Sequence, residues 1–245
     1  MRDSLIRIWS IAIYTAKPIL RNPLTFLTIL IWPMVPIFFL GVFLGEEGVR
    51  HGLIGMMVAG ITFSGIYVAQ DYVFNRTISK LQDFLVASPV KQIEYIIGVS
   101  IGSLIFGIPG TIIGLAIIWV TISIDILRAA IVIAILMFGA LTLFPLGFII
   151  GTRYDDAGRV NGLTNILAIV LGLLPPVYYA LDYIPGEYRI YTYFLPTTHV
   201  AHLIRITLGL TDVMGLGIVN HTLGLMVFAS IFYLVGLRVG RWREV

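Results

Sequence analysis

Asp155 and Asp156 stand side by side in the run 151–162, GTRYDDAGRVNG, and adjacent carboxylates are a natural place to look for acid–base chemistry. Two carboxyl groups that share a proton must be held together in a site that pushes their affinities apart. Here Arg153 and Arg159 flank them, so a charge-balanced turn is the simpler reading. His199 and His202 are three residues apart on one helical face, a spacing that suits two imidazoles on one metal ion. No third ligand of suitable type is close, and interfacial hydrogen bonding is the expectation. His221, next to Asn220, reads as a packing polar group. Ser64-Gly65 lacks the pattern that surrounds a membrane serine nucleophile, and with Gly60 it reads as small residues between packed helices. The sequence has no cysteine and no GxxxxGK[ST] loop, so thiolate chemistry is excluded and ATP has no P-loop in this chain.

The elements that must position these residues are membrane helices. Mean hydropathy over 245 residues is +0.97, with 58% of residues hydrophobic and 12% charged, against about 25% charged in soluble domains. Uncharged runs near the ~20 residues of a membrane helix recur. Six spans are expected, at 24–44, 52–71, 95–123, 129–151, 160–181 and 213–237. Pro33 and Pro36 should kink the first, and Pro109-Gly110 should bend or break the third. Residues 1–21 carry a polar stripe of Asp3, Arg7, Ser10, Tyr14, Lys17 and Arg21 opposite Leu5, Ile8, Trp9, Ala12 and Ala16, the pattern of an interfacial helix. The stretch 182–212 is too polar to span and too apolar for a free loop. It is expected to form one or two short helices dipping back into the outer leaflet, after a cluster of Tyr178, Tyr179, Tyr183, Tyr188, Tyr191 and Tyr193. That cluster reads as an aromatic belt or as the lining of an exit.

Charge sets the orientation. With the N-terminus inside, 12 of the 16 Lys and Arg residues fall on the cytoplasmic side (Arg2, Arg7, Lys17, Arg21, Arg76, Lys80, Lys91, Arg153, Arg159, Arg238, Arg241, Arg243). Only Arg50, Arg128, Arg189 and Arg205 fall outside. The basic residues sort by membrane side and not onto one patch, so the net charge of +3 does not point to nucleic acid. The fold class is an all-α polytopic membrane protein of one domain, both termini cytoplasmic: 1–21 interfacial helix, 24–71 spans one and two, 72–94 cytoplasmic loop, 95–181 spans three to five, 182–212 outer segment, 213–237 span six, 238–245 tail. The spans lack the mid-membrane charges that ion-coupled transporters use, leaving a secondary transporter or channel, and an intramembrane enzyme, as alternatives.

The stretch 71–98, DYVFNRTISKLQDFLVASPVKQIEYIIG, breaks the apolar pattern with Asp71, Arg76, Lys80, Asp83, Lys91 and Glu94. Ile78, Leu81, Phe84 and Leu85 share one helical face, and Ser88-Pro89 stops the helix. A helix over 77–87 is about 16 Å long, half a bilayer. A cytoplasmic helix with an exposed apolar strip marks a partner that takes it into a groove, the alternative being a helix that lies on the inner leaflet.

This stretch resembles the loop between spans two and three in permease subunits of type-2 ATP-binding-cassette exporters, the ABC-2 family, most of all the daunorubicin-resistance and nodulation-export branch. The resemblance rests on Asn75-Arg76 in the place of an acid–Arg pair, on Leu81, Asp83, Leu85-Val86-Ala87 and Pro89-Val90, on Gly98 opening span three, and on Leu195-Pro196 followed by Arg205. It implies that two ABC ATPase subunits, which supply the ATP and Mg sites, dock on a coupling helix formed by Arg76, Ile78, Lys80, Leu81, Asp83, Phe84, Leu85, Val86, Ala87, Ser88 and Pro89. It implies a second permease copy, the same or different, and no cofactor in this chain. The cargo would be a hydrophobic or amphipathic drug, lipid or lipid-linked glycan, exported across the cell membrane. An outer gate would involve Tyr178, Tyr179, Pro196, His202 and Arg205. Ser79 replaces a common glycine, which suggests a straighter coupling helix, and His202 replaces a common acid.

Overall fold

The computed structural model describes residues 2–211 and 217–239. The start of the expected sixth span and the tail from 240, with Arg241 and Arg243, lie outside them. All regular structure among the described residues is helical. The α-helices are α1 (Arg2–Arg21), α2 (Pro23–Ile31), α3 (Val35–Val73), α4 (Leu81–Val86), α5 (Gln92–Ser103), α6 (Ile108–Ile122), α7 (Ile126–Arg153), α8 (Ala157–Gly172), α9 (Gly186–Thr192), α10 (Pro196–Thr207) and α11 (Ile218–Val239).

The second half of α3 is the centre of the bundle, buried almost continuously from Gly48 to Val73. Its first half folds back on it at Gly45, whose φ of 62° and ψ of −143° suit only glycine. A Cβ on Gly48 would sit 2.1 Å from the Leu40 carbonyl oxygen, and one on Gly52 3.1 Å from Ile37, so the two arms run side by side. The proline kink forms where expected, as a 3-10 turn at Trp32–Met34. There the buried Tyr178 hydroxyl donates to the Pro33 carbonyl at 3.2 Å.

Against α3 lies α7, and small residues set how close the two come. A Cβ on Gly65 would meet Leu143 at 2.4 Å, one on Gly147 the Gly65 carbonyl oxygen at 2.3 Å, and one on Gly151 the Ala69 carbonyl oxygen at 2.6 Å. Without water to drive apolar surfaces together inside a membrane, such backbone approach supplies the packing. Gly60, expected as a packing residue, meets Gly107 in the same way, where α5 bends by 50° into α6 through a 3-10 turn at Leu104–Phe106.

By length and apolarity, three helices among the described residues, Pro23–Ile78, Ile126–Arg153 and Ile218–Arg238, are able to cross a membrane, or four if the bent pair Gln92–Phe106 and Ile108–Ile122 is one broken span and not a re-entrant loop. The expected fifth span, 160–181, is corrected: α8 stops at Gly172. Its 16 residues extend about 24 Å, less than the ~30 Å hydrocarbon core. Pro175 is the cause, since it has no N–H for the Leu171 carbonyl. Thr197 replaces that donor, its hydroxyl bonding Leu171 O at 2.5 Å. The chain then forms α9 and turns into α10, which is buried from Pro196 to Arg205 among α3, α7 and α11. Helix α1 packs on α5 through Ile11, Ala12 and Thr15 against Gly98 and Gly102, while Leu5 and Trp9 are more than half exposed.

Gly147→Leu should push α7 off α3 and lower the melting temperature in detergent, by the equivalent of about 1–3 kcal/mol for overpacking. The same change at Gly162, where a Cβ would meet nothing within 4 Å, should leave melting unchanged.

Candidate functional site

The segment between α3 and α5 is held at both ends by charge. At its start the chain leaves α3 through a π-type turn, Phe74–Ile78. Arg76 in that turn is 7% exposed. Its NH1 donates to Thr152 O at 2.8 Å and its NH2 to Tyr154 O at 2.6 Å, with Asp155 Oδ1 2.8 Å from NH2. These carbonyls end α7, where the helix leaves acceptors unpaired and its dipole is negative, so a guanidinium satisfies both needs. Sequence reasoning sets Arg76 on the partner surface; the side chain turns inward instead and fixes where the segment starts. The acidic pair is used structurally: Asp155 pairs with Arg76, and Asp156 caps α8 by accepting from Arg159 N at 2.6 Å.

At the far end Glu94 closes the segment. Its carboxylate accepts from Arg7 Nε at 2.9 Å, Arg7 NH2 at 2.8 Å and Ser4 Oγ, and folds back to the Lys91 backbone N–H at 2.9 Å. The bond from Glu94 holds the Arg7 guanidinium pKa above its ordinary value. The result is a bidentate pair between α1 and α5 that sequence reasoning missed, although both residues were visible as charges. The signal was an acid three residues after Lys91, the position that closes a helix N-terminus.

Between the clamps the helix is shorter than the expected 77–87. Lys80 adopts φ 54° and ψ 19°, so the chain breaks there and α4 covers only six residues. The straighter helix expected from Ser79 is therefore corrected: Ser79 Oγ accepts from Leu81 N across the break, at 3.4 Å. The break redistributes the apolar face. Ile78 is 58% and Phe84 72% exposed, while Leu81, Leu85 and Val86 are half-buried and Leu85 packs on the core. Lys80, Asp83, Ala87 and Pro89 are exposed, and Ser88 is half-buried with its hydroxyl bonded to Leu85 O.

At the opposite end of the bundle Arg205 is fully buried on α10. NH1 donates to Pro176 O at 2.8 Å, NH2 to Val177 O at 2.5 Å, and Nε to His51 Nδ1 at 3.2 Å. The His51 proton must then sit on Nε2, which faces Glu47 Oε1 at 3.8 Å. Tyr178 is buried behind this loop, the half-buried Tyr179 donates to Leu174 O, and Pro196 opens α10. His199 Nε2 lies 2.9 Å from Tyr193 O and must donate to it, so His199 Nδ1 accepts from His221 Nδ1 at 3.0 Å. His202 lies 4.3 Å from His221, ring centre to ring centre, with the rings tilted by 34°. Among the described residues no three His, Asp or Glu side chains are arranged to hold a metal. These groups fasten the loop between α8 and α10 to the bundle.

Arg76→Ala should strip the end of α7 of its donors and lower stability by about 1–3 kcal/mol, read as earlier thermal unfolding in detergent. Asp155→Asn, which keeps both carbonyl bonds, should cost less.

The ABC-2 type transporter family model matches residues 7–208, from the Arg7 clamp to the end of α10. No curated protein matches the chain. The matched region contains both clamps, α4 and the buried Arg205, and with it the chain belongs to the ABC-2 type transporter family, as a multi-pass membrane permease whose family works with an ABC ATPase.

Proposed function

We propose that this permease belongs to an ATP-driven exporter of the daunorubicin-resistance and nodulation-export kind, and that segment 77–90 takes the thrust of the ATPase. The observation that carries the reading is the combination at that segment. Phe84 and Ile78 project an apolar surface that the described residues leave largely exposed, while Arg76 and Glu94 tie both ends to α7, α5 and α1. An exposed apolar anchor seeks a partner groove, and stiff ends carry its displacement into the bundle. Arg76 acts as a positioning residue; Ile78, Phe84 and the rim of Lys80, Asp83, Ala87 and Pro89 make the contact.

The reading includes six spans: the two arms around Gly45, the bent α5–α6 pair, α7, α8 completed by the outer loop, and α11. Both termini are cytoplasmic in the cell membrane, two copies of the permease or a related pair face each other, and two ATPases bind beneath. A polar strip supports a route between copies. Tyr67 donates to Asn165 at 3.1 Å, and Gln70 donates to Asn161 at 3.1 Å and to Thr164 at 2.8 Å, on an exposed edge of α3 and α8. Lipid tails cannot bond these amides, and a partner copy or a passing headgroup can. The cargo in this reading is a hydrophobic or amphipathic drug, lipid or lipid-linked glycan.

Phe84→Asp, and separately Ile78→Asp, should abolish co-purification of the permease with its ATPase while membrane insertion and monodispersity persist. Normal retention of the ATPase by Phe84→Asp would remove this segment from the contact.

A further inference from the structure

A cavity of about 1130 Å³ opens between α5, α7 and α11, on the side of the bundle that carries α4. That exceeds the ~300–1,000 Å³ of ordinary ligand pockets. Three features of the sequence produce it. The chain turns away from the bundle axis after Ser103, where α5 gives way to the 3-10 turn and the bend into α6. Pro145 lies within α7 on the cavity wall. Opposite it α11 presents Gly236 between Tyr233 and Leu237, and a Cβ on Gly236 would find nothing closer than 3.8 Å.

The lining is graded. Ser88, Lys91 and Gln92 form the rim, and the wall above them is mostly apolar, with Ile97, Leu104, Met137 and Phe144 beside Ser100 and Tyr233. From Gln92 to Leu104 the wall rises about 18 Å at 1.5 Å per residue. One leaflet of the hydrocarbon core is about 15 Å deep, half of ~30 Å. The cavity is therefore as deep as one leaflet, wet at its mouth and greasy above. Among the described residues Lys91 is the only charged one in the lining. The nearest acid along α5, Glu94, faces away to α1, where Arg7 and Ser4 hold it. The rim thus presents a positive charge with the Gln92 amide beside it.

We infer that this cavity seats an anionic phospholipid of the adjoining leaflet, one acyl chain between α5, α7 and α11 and the phosphate at Lys91. Length, lining and charge agree on that occupant. A zwitterionic lipid offers the chain without the net charge, and a soluble phosphate offers the charge without the chain. The rim residues Ser88 to Lys91 directly follow α4, so an occupied cavity braces the trailing end of that segment against α11. The leaflet is cytoplasmic on the orientation proposed above; the lipid site itself does not depend on that orientation or on the ATPase.

The test uses the full-length protein in nanodiscs of equal phosphatidylglycerol and phosphatidylcholine, extracted into mild detergent, with bound lipid weighed by native mass spectrometry. Phosphatidylglycerol should be retained in preference to phosphatidylcholine. Lys91→Gln should reduce that retention about fivefold, the effect of one basic residue at an anionic lipid surface, and leave phosphatidylcholine unchanged. Gly236→Leu should fill the wall and expel lipid of either kind while the protein stays monodisperse. Equal retention of the two lipids, no change in Lys91→Gln, or displacement of the bound lipid by inorganic phosphate would each overturn the inference. No ATPase is present in this experiment, so its failure leaves the exporter reading standing, and loss of ATPase co-purification leaves the lipid site standing.

Discussion

The close approach of α3 and α7 is the contact on which the rest of the molecule is hung. Both helices are apolar nearly all round, and in lipid that gives them no reason to prefer one another. What gives the preference is the backbone itself, brought within van der Waals distance where Gly65, Gly147 and Gly151 leave no side chain between. Dispersion between closely packed atoms is small per pair and large in sum. Once this pair is fixed, α8 is placed by α3, α11 by α7, and α10 is enclosed by α3, α7 and α11.

On that frame the polar groups divide into two layers with different duties. The layer around α4 consists of charges paired across elements: Arg76 with the end of α7 and Asp155, Arg7 with Glu94. Each joins segments far apart in sequence, and each carries several bonds at once, which makes the join directional as well as strong. The opposite layer contains a buried cation with no carboxylate within ion-pair distance among the described residues. Arg205 is satisfied by two loop carbonyls and His51, so the loop is shaped around the guanidinium. Between the clamps around α4 the chain is broken at Lys80 and leaves Phe84 and Ile78 outside, a short element between two bonded anchors.

Prolines explain much of the difference between the helices expected from the sequence and those that form. Pro33, Pro36 and Pro109 leave their marks where expected, because each simply bends or starts a helix. Pro175-Pro176 does more: it ends α8 early, and the carbonyls it leaves unpaired must find donors elsewhere. Thr197 and Arg205 supply them from residues 26 and 29 positions along the chain. The pattern Leu195-Pro196 with Arg205 was visible in the sequence, but its purpose, to hold the loop that follows α8, was not.

The sequence by itself determined that this is a helical membrane protein, where its apolar runs lie, and that the charged stretch 71–98 is exceptional among them. Those properties follow from composition and local periodicity, which act over a few residues. Tertiary structure decided which of the charges face outward. Arg76 and Glu94 look as exposed as Lys80 and Asp83 when read along the chain, and only the arrival of α7 and α1 beside them supplies the partners that allow them to be buried. The same is true of Lys80's left-handed conformation, which splits a run with helical periodicity. Local spacing measures what a segment can form, and the cross-chain bonds at its two ends determined what this segment did form.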